Sequence, residues 1–287
     1  MQTGIHRERD DWNLIIRPQR AWFDLRLGEL WQARELIMLF VWRDFVSVYK
    51  QTILGPLWYL IQPLLTTITF TVVFGRIASL PTDNLPDFVF YMAGTLVWSY
   101  FAQCLTKTSE TFIANAVVFG KVYFPRLTVP ISILISNLIS FGIQFLLFLG
   151  ILAYFLLSGA PIHPNSTLLL LPVLLLMMAG LGLSGGIIVS ALTTRYRDLR
   201  YLVTFGAQLF MYATPVVYPL SSVSGSFRLL ILANPLTSIV ETFRYGFLGA
   251  GSFDVWNLSY SMAFMLVALF VGVLLFNHVE ATFMDTV

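Results

Sequence analysis

Charged residues are scarce in this chain of 287 residues: Asp, Glu, Lys and Arg make up 11%, against about 25% in a typical soluble domain. Hydrophobic residues make up 57%, and the mean hydropathy is +0.77. A single water-facing globule of this size has no room to bury so much apolar surface. We therefore predict an all-α polytopic membrane protein and not an ordinary soluble enzyme, because helices satisfy their own backbone groups in lipid.

Cysteine and histidine are also rare. Cys104 is the only cysteine, which excludes a disulfide framework and a multi-cysteine zinc or iron–sulfur site. The three histidines lie far apart in the sequence, so no metal site is predicted. A net charge of +2 is no signature of nucleic-acid binding, and no nucleic acid is expected as a partner.

Nucleotide-binding and catalytic motifs are also missing. No GxxxxGK[ST] loop occurs, since Gly120-Lys121 lacks the earlier glycine and the following Ser or Thr. Acids are nearly absent from the long apolar runs, which argues against proton or sodium coupling through membrane carboxylates. These absences predict a chain that is not an enzyme by itself and binds no cofactor. The energy for uphill transport would come from another chain.

Long uncharged runs dominate the rest of the sequence. A membrane helix needs roughly 20 mostly apolar residues, and five runs between charged residues contain 19 to 68 residues each. The longest run, 127–194, is divided by turn-forming residues at 158–166. Six transmembrane helices are therefore predicted, near residues 57–77, 88–108, 129–157, 167–192, 200–218 and 257–278.

Lys and Arg lie mostly on one side of this six-span topology. Residues 1–56 carry eight of the 17, and the connections after the second and fourth spans carry three each. The positive-inside rule then places both termini in the cytoplasm. The predicted domains are a cytoplasmic tail with an amphipathic interfacial helix (1–56), the transmembrane domain (57–278) and a cytoplasmic C-terminal tail (279–287).

Three segments outside the spans have patterns of their own. Apolar residues at helical spacing between 21 and 42 indicate an interfacial helix, with a brace for a cytoplasmic partner as the alternative. The coupling segment, residues 110–128, mixes aromatic and basic side chains as docking surfaces do, with an interfacial loop as the alternative. The apolar run 229–240 is too short to cross a bilayer, which indicates short re-entrant helices within 219–255.

Two local patterns predict contacts between helices. Small residues at 180–186, inside the fourth span, favour close packing against a neighbouring helix. Glu241 and Arg244 are three residues apart, so they can pair on one helix face. Such a pair in the outer leaflet needs a wet or protein-lined site, and a solvated external hairpin is the alternative.

Several short motifs follow one another in a specific order. They are Arg43-Asp44 with Tyr49-Lys50, Leu54-Gly55-Pro56-Leu57-Trp58 with Gln62-Pro63-Leu64, Gly94-Thr95-Leu96-Val97-Trp98, Lys121-Val122-Tyr123-Phe124-Pro125-Arg126, Tyr196-Arg197-Asp198, Thr214-Pro215-Val216-Val217-Tyr218-Pro219 and Asn234-Pro235-Leu236. Together they resemble the permease subunits of type-2 ABC exporters, over about residues 20–278. Within that family the chain is most similar to exporters of polysaccharides, namely O-antigen (lipopolysaccharide), capsule and teichoic acid.

This resemblance implies a partnership. The expected assembly is a homodimer of six-span subunits bound to two cytoplasmic ATPase subunits in a bacterial inner (plasma) membrane. ATP and magnesium would bind to the ATPases and not to this chain. The implied function is ATP-driven export of a lipid-linked glycan from the cytoplasm, with O-antigen as the leading candidate.

The resemblance also implies residue roles. The coupling contact with the ATPase would be made by Lys121, Val122, Tyr123, Phe124, Pro125 and Arg126. An interfacial gate motif would comprise Arg43, Asp44, Tyr49, Lys50, Leu54, Gly55 and Trp58. The external re-entrant region would contain Pro215, Pro219, Asn234, Pro235, Glu241 and Arg244.

A conduit for a hydroxyl-rich glycan needs aromatic faces and uncharged hydrogen-bonding groups, and it needs no strong charged traps. Spans one and five would line it, with these candidate path residues: Tyr59, Trp98, Tyr100, Tyr212 and Tyr218. A small-lipid or drug exporter of the same ABC type stays open as an alternative. An ATP-independent carrier is disfavoured because no internal repeat is evident. A membrane-embedded lipid-modifying enzyme is disfavoured because no catalytic cluster is evident.

Overall fold

The computed structural model describes residues 27–50, 52–122, 124–193, 196 and 198–283. Every regular element within these ranges is helical, which confirms the predicted all-α class. The helices are α1 (Leu27–Gln32), α2 (Arg34–Tyr49), α3 (Trp58–Phe70), α4 (Asp87–Ser109), α5 (Thr111–Ala114), α6 (Ala116–Phe119), α7 (Thr128–Leu157), α8 (Leu171–Thr193), α9 (Leu199–Tyr212), α10 (Ser226–Ala233), α11 (Pro235–Leu248) and α12 (Val255–Phe283).

Among the described residues, five helical units are long and apolar enough to cross a membrane. They are Gly55–Ile77, Asp87–Ser109, Thr128–Leu157, Ser166–Thr193 and Val255–Val279. The first continues from α3 into a π-helical turn at Thr71–Ile77. These units match the predicted spans one to four and six. The predicted fifth span contains α9, whose 14 residues measure about 21 Å, so the six-span count stays a prediction.

Two helix ends differ from the sequence prediction. The helix predicted within 200–218 ends at Tyr212, and residues 213–218 form turns. Pro215 and Pro219 explain this end, because proline has no N–H to continue the helical ladder. At the N-terminal side, the helix predicted for 21–42 continues in α2 to Tyr49, while residues 21–26 lie outside the described part of the chain.

Helix α4 is the centre of the bundle. Of the residues in its apolar stretch, 72% are buried, whereas 6% are buried in the apolar stretch of the first span. Helix α8 lies directly against it, because a Cβ on Gly182 would come within 2.6 Å of the Cβ of Cys104. A Cβ on Gly186 would come within 2.5 Å of the Cβ of Thr108. The close helix packing predicted from these small residues is confirmed.

Helix α4 also separates two ends of the molecule. Its last turn leads into the coupling segment, which packs with α2, α7 and α12, and we call this region the coupling end. Its first turns contact residues 213–254, which include α10 and α11, and we call that region the hairpin end. The predicted functional residues lie at these two ends and on the helices α3 and α9 between them.

Candidate functional site

An aromatic cluster holds the coupling segment against three helices. Phe124 lies against Phe40 of α2, with ring centroids 5.7 Å apart, and 5.6 Å from Phe119. Phe112 stacks on Phe276 of α12, with the centroids 4.7 Å apart. All five rings are buried. The coupling segment is therefore packed on the membrane helices and does not hang free as a loop.

Arg126 is buried within this aromatic cluster and is 5% exposed. Its guanidinium carbon lies 5.5 Å from the ring centroid of Phe119 and 6.0 Å from that of Phe112. A cation over aromatic faces is attracted by their negative π surface. Arg126 and Phe124 thus support the coupling segment from inside, and neither offers much surface to a second protein.

The exposed residues in the described part of the coupling segment are Glu110, Ala114, Val117, Gly120, Lys121 and Val122, and we call three of them the coupling tip: Val117, Lys121 and Val122. Val117 is 70% exposed and Val122 is 58% exposed. Lys121 is exposed as well, and Pro125 is half-buried. Tyr123 lies outside the described residues. The coupling tip combines two apolar side chains with one cation, and Glu110 is exposed at the start of the segment.

The first half of the predicted gate motif lies at the end of α2. Arg43 pairs with Asp44, with 2.8 Å between Nη2 and Oδ1. The Arg43 guanidinium carbon also lies 4.8 Å from the ring centroid of Phe40, which is part of the aromatic cluster. Lys50 is exposed, and the Tyr49 side chain lies outside the described part. This half of the motif therefore contacts the aromatic cluster that holds the coupling segment.

The second half of the gate motif forms the entry into α3. Leu54 and Trp58 are exposed, 37% and 46% respectively. Gly55 between them has a φ of +51°, a left-handed conformation that glycine adopts without strain. Tyr59 stacks on Phe45 of α2, with ring centroids 6.5 Å apart. The motif thus turns the chain from α2 into the first span.

Two helices present exposed faces with mixed chemistry. The α3 stripe consists of Trp58, Gln62, Leu65, Thr69, Val72 and Arg76, and the α9 stripe of Tyr201, Thr204, Gln208 and Tyr212. Steps of three and four residues place each set on one side of its helix. The α3 stripe has one charge at its far end, and the α9 stripe has none.

Both stripes belong to helices that pack on α4. Phe210 holds α9 there, with its ring centroid 6.0 Å from that of Trp98 and 6.4 Å from that of Phe101. The two helices meet near the hairpin end, where Phe74 lies 6.5 Å from Tyr212. Phe210 therefore faces α4, whereas the α9 stripe lies on the exposed part of the helix, together with Leu202, Phe205 and Leu209.

The five predicted path residues fall into two groups. Trp98 and Tyr100 are 8% and 4% exposed and belong to the core of the chain, so neither lies on its outer surface. Tyr212 is 47% exposed and lies in the α9 stripe. Tyr218 is half-buried and donates to the carbonyl oxygen of Tyr212 at 3.1 Å. Tyr59 is half-buried at the other end, and a path role stays a prediction.

At the hairpin end, Arg244 is 1% exposed. Its guanidinium donates to the carbonyl oxygens of Pro215 and Val216. A longer contact of 3.5 Å reaches the carbonyl oxygen of Tyr218. The ring centroid of Phe90 lies 3.8 Å from the guanidinium carbon. A cation thus fills the turn that follows α9, where prolines leave carbonyls without helical donors.

Glu241 completes this arrangement and is 2% exposed. Its Oε1 lies 3.7 Å from Nη1 of Arg244 and accepts the Leu220 amide at 3.4 Å. Its Oε2 accepts the Ser252 amide at 3.1 Å. Burial raises the pKa of the Glu241 carboxyl above its ordinary value, while Arg244 and the two amides act in the opposite direction. The predicted pair occupies a protein-lined site, and the solvated-hairpin alternative is wrong.

Asn234 marks the break between α10 and α11. Its side-chain oxygen accepts the Leu236 amide at 3.0 Å, and Pro235 occupies the first helical position, where a missing N–H costs nothing. Its amide nitrogen donates to Thr214 Oγ1 at 2.8 Å and to the Ala213 carbonyl at 3.2 Å. The short apolar run therefore forms two helices that are tied to the end of α9. Their re-entrance into the membrane stays a prediction.

The sequence assigned no role to two residues of this site, although Gly94 belongs to one of the motifs named above. Phe90 and Gly94 lie one helical turn apart on α4 and face Arg244 together. A Cβ on Gly94 would come within 2.5 Å of Nη2 of Arg244 and within 2.7 Å of the Val216 carbonyl oxygen. The i, i+4 spacing places both on one face, yet nothing in the sequence says what fills the space beside a glycine. Across the described ranges, no three His, Cys, Asp or Glu side chains are grouped as metal ligands.

Residues 35–248, which run from α2 to the end of α11, match the family model described as ABC-2 type transporter. The chain belongs to the ABC-2 type transporter family. The matched range contains the coupling segment, both stripes and the Glu241–Arg244 pair. These features therefore lie within the part of this ABC-2 chain that defines the family.

Curated relatives of this ABC-2 chain include export permeases. The O-antigen export system permease protein RfbA of Myxococcus xanthus is 31% identical over 221 residues, 75% of this chain and 81% of the relative. A protein of the same name from Klebsiella pneumoniae is 27% identical over 252 residues, 88% and 94% of the two chains. The polysialic acid transport protein KpsM of Escherichia coli is 23% identical over 242 residues, 83% and 91%.

Proposed function

We propose that this chain is the membrane-spanning permease subunit of an ATP-driven exporter of a lipid-linked polysaccharide, with O-antigen as the leading substrate. Family membership supports a transport role alongside a separate ATPase. The names of the relatives support the substrate class. In this proposal, two copies of the chain and two cytoplasmic ATPase subunits form the complex in a bacterial inner membrane. ATP and magnesium bind to the ATPases.

The α9 stripe is the observation that carries the substrate class. Tyr212 offers a ring face on which a sugar ring can stack, whereas the Tyr201 ring is contacted by the Arg200 guanidinium at 4.6 Å. Thr204 and Gln208 between them offer a hydroxyl and an amide for hydrogen bonds to sugar hydroxyls. No side chain of the α9 stripe is charged, and Arg200 beside it donates to the Tyr201 hydroxyl at 2.6 Å, so beyond the start of α9 a sliding polymer meets uncharged groups. In the proposed dimer, the α3 and α9 stripes of the two copies line the path.

The coupling segment has the arrangement that force transmission requires. Its coupling tip is exposed, while Phe112, Phe119 and Phe124 pack in one buried cluster with side chains of α2, α7 and α12. When ATP binding closes the two ATPases, a push on the coupling tip therefore reaches three helices at once. The lipid-linked end of the glycan would then enter from the membrane and the sugar chain would follow outward.

Docking is tested by co-purification with the ATPase in mild detergent. The double variant Lys121→Ser, Val122→Ser is expected to co-purify with at most about one tenth of the ATPase that the native chain retains, because interface energy concentrates in a few contacts. The matched control is Phe227→Ser with Arg228→Ser, which also removes one exposed apolar and one exposed basic side chain, but at the hairpin end. Equal retention by the two double variants would contradict docking at the coupling tip.

Transport is tested with the complex in vesicles that contain lipid-linked O-antigen. ATP-dependent appearance of glycan on the far side is expected, and Gln208→Ala with Tyr212→Ala should lower its rate. Movement of small lipids or drugs without glycan movement would favour the small-lipid or drug exporter. Glycan movement without ATP would favour a carrier.

A further inference from the structure

The Glu241–Arg244 pair binds main-chain groups of both kinds, carbonyl oxygens through Arg244 and amide groups through Glu241. Arg244 donates to the carbonyls of Pro215 and Val216, and Glu241 accepts the amide of Leu220. The second Glu241 oxygen holds the Ser252 amide, just before α12. The two side chains of α11 therefore fix the segment 215–220 by its backbone. We call this arrangement the backbone clamp.

The space around Arg244 fits a planar guanidinium. The Phe90 ring lies on one face at 3.8 Å, and Gly94 leaves room beside Nη2 that a Cβ would occupy. Burying two opposite charges costs desolvation energy that their attraction alone seldom repays. The carbonyl and amide contacts of the backbone clamp offset this cost, because nearly every polar atom of the pair then has a partner.

The segment held by the backbone clamp is the direct continuation of α9. Helix α9 ends at Tyr212, which belongs to the α9 stripe, and the clamped residues begin three positions later. Tyr218 within the clamped segment bonds back to the Tyr212 carbonyl. The backbone clamp therefore connects α11 to the last turn of the α9 stripe.

We propose that Arg244 is a positioning residue for transport, which ties the path-lining end of α9 to α11 so that the two move as one unit. This inference rests on the proposed function. The other role for a buried pair is that it serves folding alone. The two roles differ in what a variant loses: transport per ATP in the first case, and assembly in the second.

Arg244→Lys separates the two roles, because it keeps a positive charge beside Glu241. Lysine carries its donors on one atom, so it cannot reach both carbonyls and also lie flat on the Phe90 ring. The complex is expected to assemble and hydrolyse ATP within about twofold of the native rate, while glycan moved per ATP falls about tenfold. A native ratio of transport to hydrolysis would overturn the proposal. So would a loss of assembly that removes hydrolysis as well.

A second pair of variants disturbs the backbone clamp without changing any charge. Gly94→Ala pushes on Arg244 and on the Val216 carbonyl, whereas a Cβ on Gly142 meets nothing within 4 Å. Gly94→Ala is expected to lower transport per ATP about threefold or more, and Gly142→Ala to leave it unchanged. Equal transport by the two variants would contradict the inference.

A labelling experiment distinguishes failure of this inference from failure of the proposed function, because it needs no glycan. Cys104 is buried, so Cys104→Ala gives a background in which Ala213→Cys, at the exposed end of α9, is the only thiol. A membrane-impermeant maleimide is expected to label this thiol about threefold faster when Arg244→Lys is added. An unchanged labelling rate would overturn the inference even in a complex that exports glycan.

Discussion

The coupling end and the hairpin end each bury one arginine, but they hold the guanidinium in different ways. Arg126 lies over the rings of Phe119 and Phe112 at 5.5 and 6.0 Å. Arg244 donates to fixed backbone carbonyls and faces the Glu241 carboxylate at 3.7 Å. Aromatic faces tolerate sliding, whereas directional hydrogen bonds weaken quickly when the angle changes. The hairpin end therefore holds its guanidinium by directional bonds to main chain, whereas the rings at the coupling end contribute attraction that depends little on one angle.

Helix α4 connects these two environments through close packing. At its coupling end it meets α8 across Gly186, and at its hairpin end it meets Arg244 across Gly94. It is also the most buried of the five apolar spans in the described part of the chain. A tightly packed helix transmits displacement with little loss, because protein interiors have low compressibility. The difference between the two ends therefore lies in their side chains and not in the helix between them.

The largest expected effect tests this difference directly. Arg244→Met leaves the buried Glu241 carboxylate and the Pro215 and Val216 carbonyls without their partner, and it should lower the free energy of unfolding by about 3–5 kcal/mol. Arg126→Met keeps a polarisable side chain on the aromatic rings, and the lost attraction between cation and rings should itself cost about 1–2 kcal/mol. Denaturant unfolding in detergent micelles measures both. Similar losses would show that the two arginines are held alike.

A smaller effect is expected from adding one methyl group at each end of α4. Gly94→Ala should cost about 2–3 kcal/mol, since the new Cβ meets the Val216 main chain, which cannot move aside. Gly186→Ala should cost about as much, because the new Cβ meets the Cβ of Thr108 and the Leu105 carbonyl oxygen, which are fixed to the α4 main chain. Thermal unfolding of the two variants beside Gly150→Ala, which has open space, measures both losses. A variant that loses no more stability than Gly150→Ala would contradict the close packing at its end of α4.

Much of this architecture follows from the sequence, and the missing parts have a common physical reason. The length of the apolar runs predicts spans one to four and span six. The small residues at 180–186 predict close packing of α8 against a neighbouring helix. Trp98 and Tyr100 are core residues although they were predicted in the path, because core and lipid-facing positions of a membrane helix are both apolar. The Glu241–Arg244 spacing predicts a pair, yet the grip on residues 215–220 depends on contacts between distant segments.

The smallest expected effect concerns one exposed serine at each end. Ser221 Oγ donates to Oδ1 of Asp83 at 2.6 Å and joins the hairpin end to the connection before α4. Ser47 Oγ donates to the Asp44 carbonyl of its own helix at 2.8 Å. A bond to a carboxylate between two segments is worth more than a bond within one helical turn. Ser221→Ala should therefore cost about 1 kcal/mol and Ser47→Ala close to zero.

The salt concentration distinguishes the two serine hydrogen bonds, because Ser221 bonds to a charged carboxylate and Ser47 bonds to an uncharged carbonyl. The stability lost on Ser221→Ala should become smaller when the ionic strength rises to about 1 M, where the Debye length falls to about 3 Å. Thermal unfolding of both variants at low and high salt tests this. If the two serines respond equally at both salt concentrations, the Ser221–Asp83 contact contributes no more than an ordinary surface hydrogen bond. The hairpin end would then be attached without this bond, by the backbone clamp, by Asn234 and by the packing of Phe243 and Phe247 on Phe148 of α7.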